Sequence, residues 1–248
     1  MGEWFVSRNA WQVMAAGTAY FAVLYFATAL AALWLTRVAL PRIGFGRTLD
    51  PRELPAHQYR REIAQACVSI LIFGAGVVLP WSILKLGWAS LTPNPSAVRV
   101  AAEVAALFLW NELHFYACHR LLHTRVLRRF HADHHRSHVP TPFSTYAFHP
   151  VEALLLGSVP LVPMLLHDFS FEALLCLPVL SILLNGLGHA NYEFSHSAPA
   201  RGLLGASRRH ALHHARYHGN YGFLLPVFDR LSGTELDEDA LPPSRGAT

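Results

Sequence analysis

Long apolar runs constrain this chain more than any other feature. The first, about Trp11 to Leu40, carries one charge, Arg37. It exceeds the roughly 20 residues a helix needs to cross a hydrocarbon layer about 30 Å thick. A second extends from about Ile63 to Trp88, with GAG and Pro80 inside it, which membrane helices tolerate. After a loop, SLTPNPSA, a third covers about Val98 to Cys118. A fourth, from Val151 to about Gly188, breaks near LLHDFS and reads as a helical hairpin with a short first arm. The composition agrees: 52% of residues are apolar and 15% charged, against about 25% charged in ordinary soluble domains. The expected fold is an all-α integral membrane domain over residues 1–248. It has three full transmembrane helices, a helical hairpin and a histidine-rich helical cap, with a disordered tail over about 238–248. The first run is too long for the apolar core of a cleaved signal, so it is expected to remain as an anchor.

Charge then sets orientation. Arg42, Arg47, Arg52, Arg60 and Arg61 follow the first run; Arg120, Arg125, Arg128, Arg129 and Arg136 follow the third. The loop between the second and third runs is poor in positive charge. A positive-inside bias therefore places both basic segments, and the histidines among them, in the cytoplasm, with the N-terminus opposite. Because the arginines sit between apolar runs, the net charge of +4 indicates no nucleic-acid partner. Cys67, Cys118 and Cys176 lie far apart, each in an apolar run, and form neither a disulfide framework nor a thiolate zinc motif.

Thirteen of the sixteen histidines fall in two windows, 119–149 and 189–218. HRLLH places His119 and His123 one helical turn apart on one face. HADHH gives His131, His134 and His135, and HALHH repeats the offsets with His210, His213 and His214. At this histidine frequency a random H-x-x-H-H is expected on the order of 0.1 times per chain, so two mark a built site. A basic helix lying on anionic lipid would need no such register, and lysine or arginine would serve it as well.

Eight or more imidazoles exceed what one ion with an open position takes, which implies two metals. Imidazole suits iron, zinc, copper and nickel, so spacing alone does not choose among them. A site at the ends of membrane helices faces apolar substrates that offer mainly C–H bonds. Oxidising those requires chemistry from O₂, which points to iron.

The segments ELHFYACHRLLH, FHADHHRSHVPTPFSTYAFHPVEALL, GHANYEF and SRRHALHHARYHGNYGFLLPVFDRLSGTE resemble the histidine boxes of the fatty acid hydroxylase/sterol desaturase superfamily of integral-membrane di-iron oxygenases. The resemblance covers about 112–234 and is nearest to the sterol 4-methyl oxidase branch. It implies His119, His123, His131, His134, His135, His210, His213 and His214 as ligands to two irons, with His189 as a ninth. His196, His138, His149 and His218 are left open. Glu112, on the face of His119 two turns earlier, is expected to hold a ligand ring by its second nitrogen. Asp133 is expected to face solvent, and His149 and Glu152 match a family element that fits either a structural pair or a support for the ligands. Asn191 and Asn220 match family positions without an evident physical role. The implied reaction is O₂-dependent hydroxylation or desaturation of a membrane lipid. Electrons would come from a separate ferredoxin or cytochrome with its reductase, since the sequence holds no haem-attachment, thiolate-cluster or dinucleotide motif. Zinc in a purified sample would still fit these ligands. The readings set against this one are a zinc-dependent membrane hydrolase and a non-enzymatic metal-binding protein.

Overall fold

The computed structural model describes residues 2–194 and 202–236; His196 and the tail expected over 238–248 lie outside them. Helix α1 (Gly2–Ser7) leads into α2 (Ala10–Trp34). Asn9 caps α2 reciprocally with Gln12, each side chain accepting the other's backbone N–H. A π turn (Leu35–Ala39) and α3 (Leu40–Arg42) extend α2 into one 33-residue apolar rod. The second rod is α4 (Gln58–Gly76) with α5 (Val78–Lys85), and the third is α6 (Ala97–Leu122). The short polar α7 (Arg128–His135) follows. The hairpin comprises α8 (Pro150–Gly157), α9 (Leu161–Leu166) and α10 (Phe171–Gly188). Helices α11 (Ala206–Arg216) and α12 (Val227–Leu231) complete the cap. Among the described residues the only sheet is a two-residue antiparallel ladder of β1 (Arg47–Thr48) with β2 (Tyr192–Glu193).

Among the described residues, three helices are long and apolar enough to cross a membrane: Ala10–Arg42, Gln58–Lys85 and Phe171–Gly188. The chain is an integral membrane protein. The expected third crossing, α6, has the length, 26 residues, but it is less apolar than those three. Its inward stripe is polar, with Glu103, Asn111, Glu112 and His119 all buried. Helix α10, expected as the hairpin's return arm, has the apolar length instead. The hairpin's first arm stays short and is broken between α8 and α9, as the sequence indicates.

Helices α2 and α4 cross closely because both present glycine. A Cβ on Gly74 would meet the Thr18 backbone at 2.6 Å, and one on Gly17 would meet the Gly74 carbonyl at 3.0 Å. Small residues at a crossing let membrane helices gain dispersion contacts that lipid cannot match. Above this crossing, Tyr25, Ala66, Ile70, Phe73, Phe143, Tyr146, Phe148 and Ile182 form the main core. The Tyr25 hydroxyl donates to the Phe143 carbonyl (2.8 Å), which ties the 3₁₀ turn Pro142–Tyr146 to α2. That turn follows the HADHH segment directly, so the membrane core fixes where the first histidine helix sits.

Candidate metal centre

The nine expected histidines converge from four helices. Helix α6 ends with His119, and His123 is its C-cap; α7 carries His131, His134 and His135; His189 caps α10; α11 carries His210, His213 and His214. They form two groups, each able to hold one ion. His119, His123, His131, His135 and His213 make the first, and His134, His189, His210 and His214 the second. The repeated spacing now has a geometric reason. In HADHH the i, i+4 pair His131 and His135 serves the first group, while His134 at i+3 turns to the second. In HALHH the pair His210 and His214 serves the second group, and His213 turns to the first. Each helix presents two adjacent faces, and each face feeds a different site.

The inward nitrogens test whether these groups fit metal. His119 Nε2 lies 3.1 Å from His131 Nε2, and His131 Nε2 lies 3.0 Å from His135 Nε2. His135 and His213 meet at 3.0 Å. In the second group, His134–His189, His189–His210 and His210–His214 meet at 3.2, 3.0 and 3.1 Å. Nitrogens about 2.1 Å from a shared ion lie about 3.0 Å apart at a right angle and about 3.4 Å apart at the tetrahedral angle. The observed spacings match neighbours on a five- or six-coordinate ion. On a six-coordinate ion, five rings would leave one position open and four would leave two.

The outward nitrogens sharpen the argument. The Nδ1–H groups of His119, His189 and His213 donate to the carbonyls of Tyr221 (2.9 Å), Asn185 (2.8 Å) and Gly219 (2.7 Å). His131 Nδ1–H donates to Glu152 Oε1 (2.8 Å). These acceptors place the proton of a neutral ring on Nδ1 and leave a lone pair on Nε2. His119 and His131 therefore point lone pairs at each other across 3.1 Å, an arrangement that a cation between them relieves. Protonation is the costly alternative. Burial pushes His131 down to about 3 and holds His134, His135, His210, His213 and His214 well below the ordinary imidazole range.

Glu112 reaches no ring. Seven residues before His119, it sits about 10 Å away along the helix, too far for a direct bond. Its carboxylate instead accepts the N–H groups of Leu224 (3.2 Å) and Leu225 (2.8 Å). It anchors the loop whose Tyr221 carbonyl orients His119, so it supports the ring through the backbone. Asp229 grips the same loop, accepting from Tyr221 N–H (2.8 Å), Gly222 N–H (2.6 Å) and the Thr234 hydroxyl (2.7 Å). Glu152 is the one carboxylate in direct contact with a box histidine, and its Oε2 is buried without a partner.

The remaining expectations sort by burial. His138 and His218 are exposed, and His149 caps α8 by accepting the Val151 N–H (3.2 Å); none of the three joins either group. Asp133 is part-exposed and pairs with Arg136 at the surface. Asn191 and Asn220 both adopt positive φ. Asn191 brackets Asp50 with bonds to its N–H and carbonyl (both 2.9 Å), and Asn220 links the Arg209 carbonyl (3.2 Å) to the Leu236 N–H (2.9 Å). They are turn residues that tie the cap together.

Sequence reasoning missed Glu62. Fully buried on α4, it accepts from Ser137 (2.6 Å), Thr141 (2.5 Å) and Gln58 (2.8 Å) and so fixes the loop after the first HxxHH box. The arginines beside it, Arg60 and Arg61, disguised it as part of a solvated loop. The only usable signal was its place at the first turn of an apolar run.

An apolar cavity of about 340 Å³ lies within the helices. Trp4, Leu79 and Leu154 on its wall are 51%, 51% and 59% exposed, so it opens on the apolar outer surface. Its inner end includes Phe115, Phe148, Leu156 and Asn185, which also wall a small pocket beneath His119, His131, His134, His189 and His210.

Known proteins carry the same pattern. A family profile described as fatty acid hydroxylase matches residues 104–234. A Delta(7)-sterol 5(6)-desaturase of Eremothecium gossypii is 30% identical over 201 residues, 76% of this chain and 54% of that protein. The Delta(7)-sterol 5(6)-desaturase of Saccharomyces cerevisiae is 27% identical over 192 residues, 74% of this chain and 51% of that one. A very-long-chain aldehyde decarbonylase of Oryza sativa subsp. indica is 30% identical over 149 residues, 56% of this chain and 23% of its own length. The chain thus spans about half the length of the sterol desaturases it matches. No solved structure matches it. With more than half its length under that profile, the chain belongs to the fatty acid hydroxylase family.

Proposed function

We propose that this chain is a membrane oxidoreductase that hydroxylates or desaturates a C–H position of a lipid, with O₂ as co-substrate and two histidine-held irons. The observation that carries this reading is the meeting of two carboxylate-free imidazole groups with the inner end of a cavity that opens toward lipid. The similarity to sterol desaturases and an aldehyde decarbonylase agrees with a lipid substrate. His119, His123, His131, His135 and His213 would hold one iron, and His134, His189, His210 and His214 the other. When bound, the pair would supply O₂ activation and C–H oxidation, which no side chain here can perform. The zinc-hydrolase reading fits less well, because neither group includes a carboxylate.

The chain's own residues do the rest. The cavity binds and aligns the apolar body of the lipid. Phe115, Phe148 and Leu156 exclude water from the pocket between lipid and rings. The carbonyls of Tyr221, Asn185 and Gly219 and the Glu152 carboxylate hold four rings in the orientation that turns Nε2 inward. Glu152 Oε2, buried and unpartnered, is an acceptor that can hold a proton beside that pocket. Electrons would arrive from a separate ferredoxin or cytochrome system. The arginine distribution favours a cytoplasmic histidine cap with the N-terminus opposite. The β1–β2 ladder supports this by joining the arginine-rich loop after α3 to the segment after His189.

Elemental analysis of protein purified from iron-replete cells is expected to give about two metal ions per chain, mainly iron, for nine imidazoles in two groups. Lipid extracts of cells expressing His134→Ala should lack the oxidised product that the wild-type chain forms. An unchanged product would sink the oxygenase assignment; tightly bound zinc without O₂ consumption would favour hydrolysis.

A further inference from the structure

The apolar cavity has a polar detail that the proposed chemistry does not use. Most polar groups on its wall are already engaged: the Tyr20 hydroxyl donates to the Leu175 carbonyl (2.6 Å), and His114 Nε2 meets Ser158 Oγ (3.2 Å). Asn185 donates to the Thr145 carbonyl (2.9 Å). The side chains of Ser181 and Trp4 also have no hydrogen-bond partner among the described residues but keep more surface, so the two nearly buried side chains without one are the informative pair. Asn111 and Tyr146 are each 5% exposed and line the cavity, yet neither the carboxamide nor the phenol has a hydrogen-bond partner among the described residues. Both side chains keep a little accessible surface, and both line the cavity. Polar groups held in an apolar space without partners are costly, and a bound ligand that supplies the missing bonds is the usual reason they persist.

Position along the helix gives this meaning. Asn111, Phe115 and His119 are spaced i, i+4, i+8 on α6 and so form one stripe. The carboxamide therefore sits about 12 Å along the helix from the ring, with Phe115 between them. Phe115 belongs both to the cavity and to the pocket beneath the histidines. An elongated lipid lying along this stripe would have one end at Asn111 and a carbon further along its length beneath the rings.

The geometry points to a cavity that selects lipids bearing a hydroxyl group, for which Asn111 and Tyr146 are the buried, unpartnered polar groups on its wall, so that their grip decides which carbon lies beneath the histidines. A hydroxyl suits the pair because it both donates and accepts, as a carboxamide and a phenol do. A purely hydrocarbon lipid would leave both groups unpaired, and sites built around a hydrogen bond discriminate strongly against analogues that lack it. This inference rests on the lipid-oxidising reading and makes Asn111 and Tyr146 specificity-determining residues for it.

The test is equilibrium binding of tritiated lipids to the full chain in lipid nanodiscs, using two pairs that differ only by a hydroxyl: cholestanol with cholestane, and octadecanol with octadecane. The alcohol of at least one pair is expected to bind about five- to tenfold more tightly than its hydrocarbon. Asn111→Leu and Tyr146→Phe together should bring that ratio to about one while hydrocarbon affinity stays constant. Equal affinities within both pairs, or a preference that survives the double substitution, overturn the inference. If the double variant does not fold, the single variants are read in its place, and a preference that survives in both overturns it. Metal content, measured on the same samples, judges the proposed function separately: wild-type protein without metal sinks that reading, whereas the alcohol-to-hydrocarbon ratio judges this one.

Discussion

The two imidazole groups are built from the same repeated motif, yet they differ in access and in number. The five-ring group includes His123, which is only half-buried and packs its ring 5.1 Å from that of the part-exposed Tyr217. The four-ring group is sealed, with His134, His189, His210 and His214 all buried. It gives three of its rings to the small pocket at the cavity's inner end, against two from the first group. The contrast suggests a division of labour from ligand count alone. The group with more rings has one ring near solvent, and the group with fewer faces the inner end of the apolar cavity.

The largest expected effect breaks this contrast from the sealed side. His210→Ala leaves three rings in the second group, so metal content should fall to about one per chain and product formation by about 100-fold or more. Elemental analysis and product quantification on the same preparation check both numbers. Glu152→Gln removes the carboxylate behind His131 and should weaken metal binding in the first group by about 10- to 100-fold, with the second group retained. Competition with a chelator, read as the fraction of metal lost in two phases, distinguishes selective from uniform weakening. His123→Ala leaves four rings in the first group and is expected to cost less, about tenfold in affinity of one ion. A loss as severe as that of His210→Ala would remove the distinction between the groups.

Acid should act on both groups. The box histidines are buried neutral, with His131 pushed down to about 3 by burial, below the roughly 6.5 of an unfolded chain. The unfolded state therefore binds protons first as pH falls. Stability of the metal-stripped protein is expected to be full above about pH 6.5 and to decline from there toward pH 3. Thermal midpoints of chelator-treated protein at pH 7.5 and pH 5 test the direction, with the lower midpoint expected at pH 5. A midpoint that rose on acidification would contradict neutral burial of these rings. The smallest effect belongs to His218→Ala. This exposed histidine lies outside both groups, and metal content and product should not change.

What the sequence disclosed and what it hid divide along physical lines. The apolar runs announce α2, α4–α5 and α10 because membrane crossing demands length and hydropathy, both of which are one-dimensional. The HxxHH spacings announce which rings converge because i, i+3 and i+4 fix relative direction on a helix. The division of each box between two groups was not legible, since it depends on how α7 faces α11 across the 70 residues between them (136–205). Glu112 shows the same limit. Its face was read correctly, but its partner is the backbone of Leu224 and Leu225, more than a hundred residues away. Glu62 was disguised by Arg60 and Arg61 beside it, and Asn111 and Tyr146 carried no signal because a lone polar residue acquires meaning only from what the fold brings opposite it.

The unequal split of the two boxes also orders their completion during synthesis. His119, His123, His131 and His135, four of the first group's five rings, precede the hairpin, whereas the second group has only His134 before α10 is made. A ribosome that has released residues up to α7 has therefore supplied most of one site and a single ring of the other. The group beside the inner end of the cavity gains its remaining rings only after the hairpin has been made, so the sealed group is the last to be completed.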